Sequence, residues 1–229
     1  MTRVKICGLT EIEHALTVSE AGADLFGLVF ASSRRQVPLD KALQLVEAVR
    51  GLNHRPAAVG VFVNTAAPEV NRVAEYCQLD WVQLNGDETW QYCQEIEKPI
   101  IKALRISPDN TTSEILGNIE TGYQLFASQR LICLLDTQVG DYYGGTGQAF
   151  NWQLAEEVAA RFPVIIAGGL TTANIEQLVR KTKPWGVDVS TGVETSGQKD
   201  ASKIRTFIEA VRKAERDASQ LSEPDKYLV

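Results

Sequence analysis

Short apolar runs alternate along this chain with stretches whose apolar residues recur at helical spacing. The run Asp24-Leu-Phe-Gly-Leu-Val-Phe30 is almost unbroken, which suits a strand buried on both faces better than one with a wet side. Val4 and Ile6 need the same cover and predict a first strand that ends at Cys7 and turns at Gly8. Thr10 with Glu13 three residues on reads as a capping box opening a helix over about Glu11 to Ala21. Further strands are predicted over 57–63, 80–84, 99–106, 131–135, 164–167 and 186–189. Pro38 and Asp40 open a second helix, where Ala42, Leu45, Val46 and Val49 follow the i, i+3, i+4, i+7 rule before Gly51 stops it. Pro68 sits in the first turn of a third helix running to about Gln78. Later helices are expected from Asp87-Glu88 to about Glu97, within Thr112 to Thr121, from Trp152 to about Ala160, from Thr171 or Thr172, and from near Asp200, where Ile204, Phe207, Ile208 and Val211 repeat.

Eight strand-then-helix units spaced by about 25 to 30 residues predict one α/β domain, a closed parallel (β/α)8 TIM barrel over residues 1–214, because right-handed crossovers bring the eighth strand beside the first. A doubly wound open sheet is the structural rival, but it would leave two edge strands unprotected. Residues 215–229 are polar and charged and are expected as a C-terminal extension.

Composition narrows the function classes. With 44% hydrophobic and 23% charged residues among 229 the chain is neither disordered nor fibrous. A net charge of -6 with scattered Lys and Arg excludes a nucleic-acid partner, which needs a basic face. No apolar run reaches the ~18 residues of a membrane span, and Met1-Thr2-Arg3 leads straight into the first strand, so a cytoplasmic protein is expected. Cys7, Cys77, Cys93 and Cys133 are widely spaced, with only His14 and His54 as possible companions. That pattern supports neither a metal site nor a disulfide framework; Cys77, Cys93 and Cys133 read as inert.

In such a barrel the site is built from the strand carboxyl ends. Those positions offer Cys7, Arg34 or Arg35, Asn64, Asn85 with Asp87, Arg105, Asp136, Gly168-Gly169, and Asp188 with Ser190-Thr191. The turns Ala167-Gly-Gly-Leu170 and Asp188-Val-Ser-Thr-Gly192 suit a phosphate, since small residues let backbone amides approach a dianion and a helix N-terminus adds its dipole. Cys7 is either a small inert hydrophobe or a proton-transfer group, and Asp136 either a loop cap or a second one. Together, across a sugar phosphate, they would suit an isomerase. A thiol with an ordinary pKa of about 8.5 needs a cation such as Lys5 or Arg35 nearby to serve as base. Asp87-Glu88 reads as an acidic first turn of a helix.

Several stretches, taken in order, resemble the phosphoribosylanthranilate isomerase family of tryptophan biosynthesis over nearly the whole chain. They are Lys5-Ile-Cys-Gly-Leu-Thr10, Gly60-Val-Phe-Val-Asn64, Val82-Gln-Leu-Asn-Gly-Asp-Glu88, Leu134-Leu-Asp136, Gly144-Gly-Thr-Gly147, Ala167-Gly-Gly-Leu170 and Val187-Asp-Val-Ser-Thr-Gly-Val-Glu194. The resemblance implies a cofactor-free Amadori rearrangement of N-(5'-phosphoribosyl)anthranilate to 1-(2-carboxyphenylamino)-1-deoxyribulose 5-phosphate by a monomer or homodimer. It implies Asp136 as general acid at the ribose ring oxygen and Cys7 as the base that removes the C2' proton. It also implies Arg35 at the anthranilate carboxylate, Asp188 at a hydroxyl or amine, and phosphate binding by Gly145, Gly168, Gly169, Ser190, Thr191 and Gly192. Two departures stand out. Asn85 occupies a position where the family usually has His, so it can hydrogen-bond substrate but not titrate, and Thr191 replaces a Ser. A histidine-pathway sugar-phosphate isomerase or an indole-glycerol-phosphate synthase is the near alternative, opposed by a Cys on strand one. A catalytically inactive phosphate-ligand barrel is the distant one.

Overall fold

Every apolar run predicted as a strand is one in the structure, a computed structural model that describes residues 1–107, 110–126, 130–137 and 152–221. The strands are β1 (Arg3–Cys7), β2 (Leu25–Val29), β3 (Ala57–Phe62), β4 (Trp81–Leu84), β5 (Ile100–Ile106), β6 (Leu131–Thr137), β7 (Val164–Ile166) and β8 (Gly186–Val189). All pair in parallel in chain order, and β8 returns to β1 to close the barrel. Around it lie α1 (Ile12–Glu20), α2 (Leu39–Arg50), α3 (Ala67–Tyr76), α4 (Trp90–Cys93), α5 (Thr112–Leu125), α6 (Trp152–Ala159), α7 (Ile175–Thr182) and α8 (Ala201–Leu221). A short antiparallel hairpin, β9 (Glu194–Thr195) with β10 (Gln198–Lys199), stands between β8 and α8 and has no counterpart in the periodicity.

Strand alternation divides each strand between two environments. Val4, Ile6, Phe26, Leu28, Leu131, Cys133, Leu135, Val187 and Val189 belong to the buried layer between barrel and helices. Leu25, Val59, Ile101, Ala103, Ile132, Leu134, Ile165 and Ala167 pack against each other inside the barrel. On β1 the inward set, two residues apart, is therefore Arg3, Lys5 and Cys7. Lys5 is fully buried, and Gly27 and Asp188 are the register partners of Cys7 and Lys5 on the flanking strands.

Four local expectations are corrected. Thr10 and Glu13 form no capping box: the N-cap of α1 is Glu11, without a side-chain bond. The amides of Gly8 and Leu9 both donate to Gly27 O, which keeps the chain tied to β2 beyond Cys7 and delays the helix. The helix after β4 is one turn, not a run to Glu97: past Cys93 the amides of Gln94, Glu95 and Ile96 bond three residues back, to Gln91, Tyr92 and Cys93 O, and side chains of neighbouring elements then hold the chain. Asn71 Nδ2 donates to Glu95 O (2.9 Å), and Arg130 Nη2 donates to Ile96 O (3.1 Å) and Glu97 O (2.7 Å). Likewise α7 begins at Ile175 rather than Thr171, since Asn174 stitches the preceding turn, accepting from Thr171 N (2.8 Å) and donating to Gly169 O (2.9 Å). At the C-terminal end α8 passes unbroken through Ala214 to Leu221, while residues 222–229 lie outside the described residues.

The fourth correction concerns Glu88, which is not a solvated first-turn acid. Its side chain is 2% exposed and accepts from Asn64 N (2.8 Å), Gly86 N (3.0 Å) and Lys102 Nζ (3.0 Å), while Lys102 also donates to Gly86 O (2.9 Å). One carboxylate thus ties together the carboxyl ends of β3 and β4 and the middle of β5. Removing it strands a buried ammonium, whose loss of partner costs about 3–5 kcal/mol. Glu88→Ala is expected to lower the unfolding free energy by about that amount in urea titration, and Glu88→Gln by less, because the amide oxygen still accepts a bond.

Candidate active site

At the carboxyl ends of the strands opens a cavity of about 570 Å³, within the usual range for a small-molecule site. Its wall includes Cys7, Arg35, Gln83, Asn85, Asp136, Gly168, Gly169, Asp188, Ser190 and Thr191. These residues are scattered through the sequence and meet only because each strand delivers its last inward side chain to the same mouth.

Cys7 ends β1 half-buried. A Cβ on Gly27 would stand 2.7 Å from its Sγ and 3.1 Å from Lys5 Nζ, so the glycine on the neighbouring strand is what leaves room for thiol and ammonium side by side. Lys5 Nζ donates to Asp188 Oδ2 at 2.9 Å. Burial works against the Lys5 ammonium, yet Asp188 and Cys7 outweigh it and hold its pKa above the ordinary value. Burial also pushes the Cys7 thiol up, and the opposing pull of Lys5 and Lys199 does not cancel it. Of the two candidate cations, Lys5 is the one beside the thiol, while Arg35 is engaged by Glu194.

Asp188 is 7% exposed, and among the described residues its Oδ1 has no hydrogen-bond donor. Gln83, 3% exposed, is in the same position: its Nε2 donates to Asn85 Oδ1 (3.1 Å) while its Oε1 finds no donor among the described residues. Two buried acceptors on one cavity wall are a place for a ligand's hydroxyl or N–H groups, since such groups are costly to leave unpaired. Gln83 escaped the sequence reading because it sits one inward position below the strand end. Its alternation with Asn85 was the available signal.

Gly168 and Gly169 adopt φ of +87° and +64°, a left-handed pair that glycine alone adopts without strain and that turns backbone toward the cavity. Ser190 is committed: its hydroxyl donates to Cys7 O (3.0 Å) and lies 3.3 Å from Lys199 Nζ, so its amide is what it can offer an anion. Thr191 lines the cavity, whereas Gly192 does not. A Cβ there would collide with the Leu170 carbonyl, so Gly192 lets the β7 and β8 turns touch. Gly145 lies outside the described residues. Arg105 is turned toward the β4 loop, donating to Asn85 O (3.0 Å) and Asp87 Oδ1 (3.1 Å).

Arg35 reaches the cavity but is held from behind by Glu194, which sequence reasoning did not single out. Nε and Nη2 donate to its two oxygens at 2.7 and 3.0 Å. Burial opposes the Glu194 charge, but hydrogen bonds from Arg35 and Lys199 draw its pKa down to about 2.

A family model described as N-(5'-phosphoribosyl)anthranilate isomerase matches residues 4–210. A Dehalococcoides mccartyi protein of that name is 45% identical over 94% of this chain and 98% of its own. The crystal structure of the Thermotoga maritima phosphoribosyl anthranilate isomerase superposes with a TM-score of 0.80 at 35% identity, covering 93% of this chain and 100% of its own. A second structure of such an isomerase, in complex with reduced 1-(o-carboxyphenylamino)-1-deoxyribulose 5-phosphate, superposes with a TM-score of 0.77 at 33% identity and covers the same shares.

The exposure of the thiols generates a chemical test. Cys77, Cys93 and Cys133 are buried, and burial raises their pKa values to about 11, 11 and 12. Iodoacetamide on the native protein is expected to modify Cys7 alone, with a rate that keeps rising above pH 9. Peptide mapping after timed quenching reads this, and the other three should label only once the protein is unfolded.

Proposed function

This chain belongs to the N-(5'-phosphoribosyl)anthranilate isomerase family of tryptophan biosynthesis, and on that premise we propose that its isomerase chemistry is carried by Cys7 and Asp136. The observation that supports the assignment most is that one cavity is lined by both, three strand steps apart around the barrel, together with the glycine-rich turns after β7 and β8. In this reading Asp136 gives a proton to the ribose ring oxygen as the C1' bond to that oxygen breaks, leaving a Schiff base to the anthranilate nitrogen. The Cys7 thiolate then takes the C2' proton to give an enolamine. Protonation at C1' with loss of the 2'-hydroxyl proton yields the ketone, so no proton is consumed overall and no cofactor is required.

The surrounding groups fit that chemistry. Lys5 partly offsets the cost of a buried thiolate without reaching the cavity itself. The open Oδ1 of Asp188 and Oε1 of Gln83 match the ribose hydroxyls and the amine N–H. Asn85, pinned by Gln83, offers its amide N–H groups where an imidazole is usual, which leaves proton transfer to the thiol and the carboxylate. The backbone at Gly168, Gly169, Ser190 and Thr191, close to the start of α7, suits the 5'-phosphate. No helix among the described residues is long and apolar enough to cross a membrane, and a metabolic enzyme of the cytoplasm is the corresponding setting.

Cys7→Ala and Asp136→Asn are each expected to lower kcat by about 10² to 10⁴ while leaving product affinity within a few fold. The change in fluorescence of the anthranilate group for turnover and calorimetry for product binding check this. Near-normal turnover in either variant would remove that residue from the scheme, and product binding with no turnover in the parent protein would favour the inactive-barrel alternative. The scheme needs Cys7 deprotonated and Asp136 protonated at once. The thiol pKa is raised, so a rise in pH gains thiolate and loses protonated carboxyl in step, and kcat/KM should stay within about threefold from about pH 6 to 8. A climb of about tenfold per pH unit there would show that no protonated carboxyl is needed and would remove Asp136 as the acid.

A further inference from the structure

Glu194 stands behind the cavity wall with a side chain 5% exposed, and more positive charge converges on it than neutrality requires. Besides Arg35, it accepts from Arg34 Nη2 at 2.9 Å and Lys199 Nζ at 2.8 Å. The sequence explains how they meet. Glu194 and Lys199 are register partners across the β9–β10 hairpin, whose turn residues Ser196 and Gly197 both take positive φ, 50° and 80°. Gly8, at φ +81°, has no Cβ where the Arg35 chain passes over it.

A guanidinium carries five N–H groups. Glu194 takes the one on Nε and one on Nη2, so two on Nη1 and one on Nη2 remain, and among the described residues no acceptor is recorded for them. One N–H of Nη1 and the remaining one of Nη2 form the end-on edge, which can grip a second carboxylate with two parallel bonds. Arg35 lines the cavity and Glu194 does not, so the carboxylate would act only through the arginine.

We propose that Glu194 is a positioning residue: it clamps Arg35 side-on so that the end-on edge of the guanidinium meets the substrate's aromatic carboxylate, making the enzyme select N-aryl ribosyl phosphates that carry that group. The inference rests on Arg35 as the carboxylate ligand. Without Glu194 the three neighbouring cations repel one another, and the long Arg35 side chain turns to solvent.

Steady-state kinetics with N-(5'-phosphoribosyl)anthranilate and with N-(5'-phosphoribosyl)aniline, which lacks the carboxylate, test it in the parent protein, Arg35→Ala, Glu194→Gln and Glu194→Asp. Arg35→Ala should erase the preference for the first substrate. Glu194→Gln should raise the KM for the carboxylate-bearing substrate by about tenfold while its kcat and the KM for the aniline stay within about twofold. Glu194→Asp keeps the cations compensated and the fold safe, and should shift the same preference by about threefold. If Arg35→Ala leaves the preference intact, the carboxylate is bound elsewhere and the reading of Arg35 fails. If Arg35→Ala erases it but both Glu194 variants keep it, or bind the carboxylate-bearing substrate more tightly, the clamp is overturned and the arginine assignment survives. An equal loss on both substrates would mark Glu194 as merely structural and also overturns the proposal.

Discussion

An ammonium group sealed inside the barrel is the constraint on which the rest of this structure depends. Lys5 has no exposed surface, and an unpaired charge in such a place costs several kcal/mol. Its only carboxylate partner among the described residues is Asp188 at 2.9 Å, its register partner on β8. A slip of β8 against β1 by one residue would present Val187 or Val189 instead, turning the carboxylate out toward the helices. Charge compensation and barrel register therefore enforce one another. The same pair sits beside the thiol, so what fixes the alignment of the strands also sets the electrostatics of the site.

The polar side chains form a gradient along the barrel axis rather than a scatter. Below, the interior is hydrocarbon: Leu25, Val59, Ile101, Ile132 and Ile165. Above it come Lys5, Gln83 and Asp188, and at the mouth Cys7, Asn85, Asp136 and the glycine turns. The mouth is braced on two sides by buried carboxylates that never touch the cavity, Glu88 across β3 to β5 and Glu194 across the loops after β2 and β8. Each gathers cations and amides from several loops and so turns separate strand ends into a fixed rim.

Much of this was legible in the chain. Strands buried on both faces leave continuous apolar runs, and the residues at their carboxyl ends, Cys7, Asp136, Asp188 and the Gly168-Gly169 turn among them, can be read off directly. What was not legible depends on partners distant in sequence. Glu88 looks like a helix-start acid because its local neighbours fit that role, and only Lys102 on the next strand reveals it as a buried tie. Glu194 closes a recognisable motif, but its meaning comes from Arg35, 159 residues away. Thr10 and Glu13 have the spacing of a capping box, yet two amides bonded to Gly27 O hold the chain straight past the place where the helix would have begun. Ser190 reads as part of an anion-binding turn, but that its hydroxyl is spent on the Cys7 carbonyl follows only from the closure of β8 onto β1.

The seam where β8 meets β1 has one more consequence, for the time order of the molecule's making. The thiol leaves the ribosome well before Asp188, Ser190, Glu194 and Lys199, which follow it by more than half of the barrel's length. Non-local pairing of this kind comes late, after the entropy of a long loop has been overcome. A chain in which β8 has not yet paired with β1 leaves Lys5 and Cys7 on an open strand in contact with water. The nascent chain thus carries Cys7 long before it has the cavity that Cys7 lines, and the pairing of β8 with β1 that closes the barrel also completes that cavity.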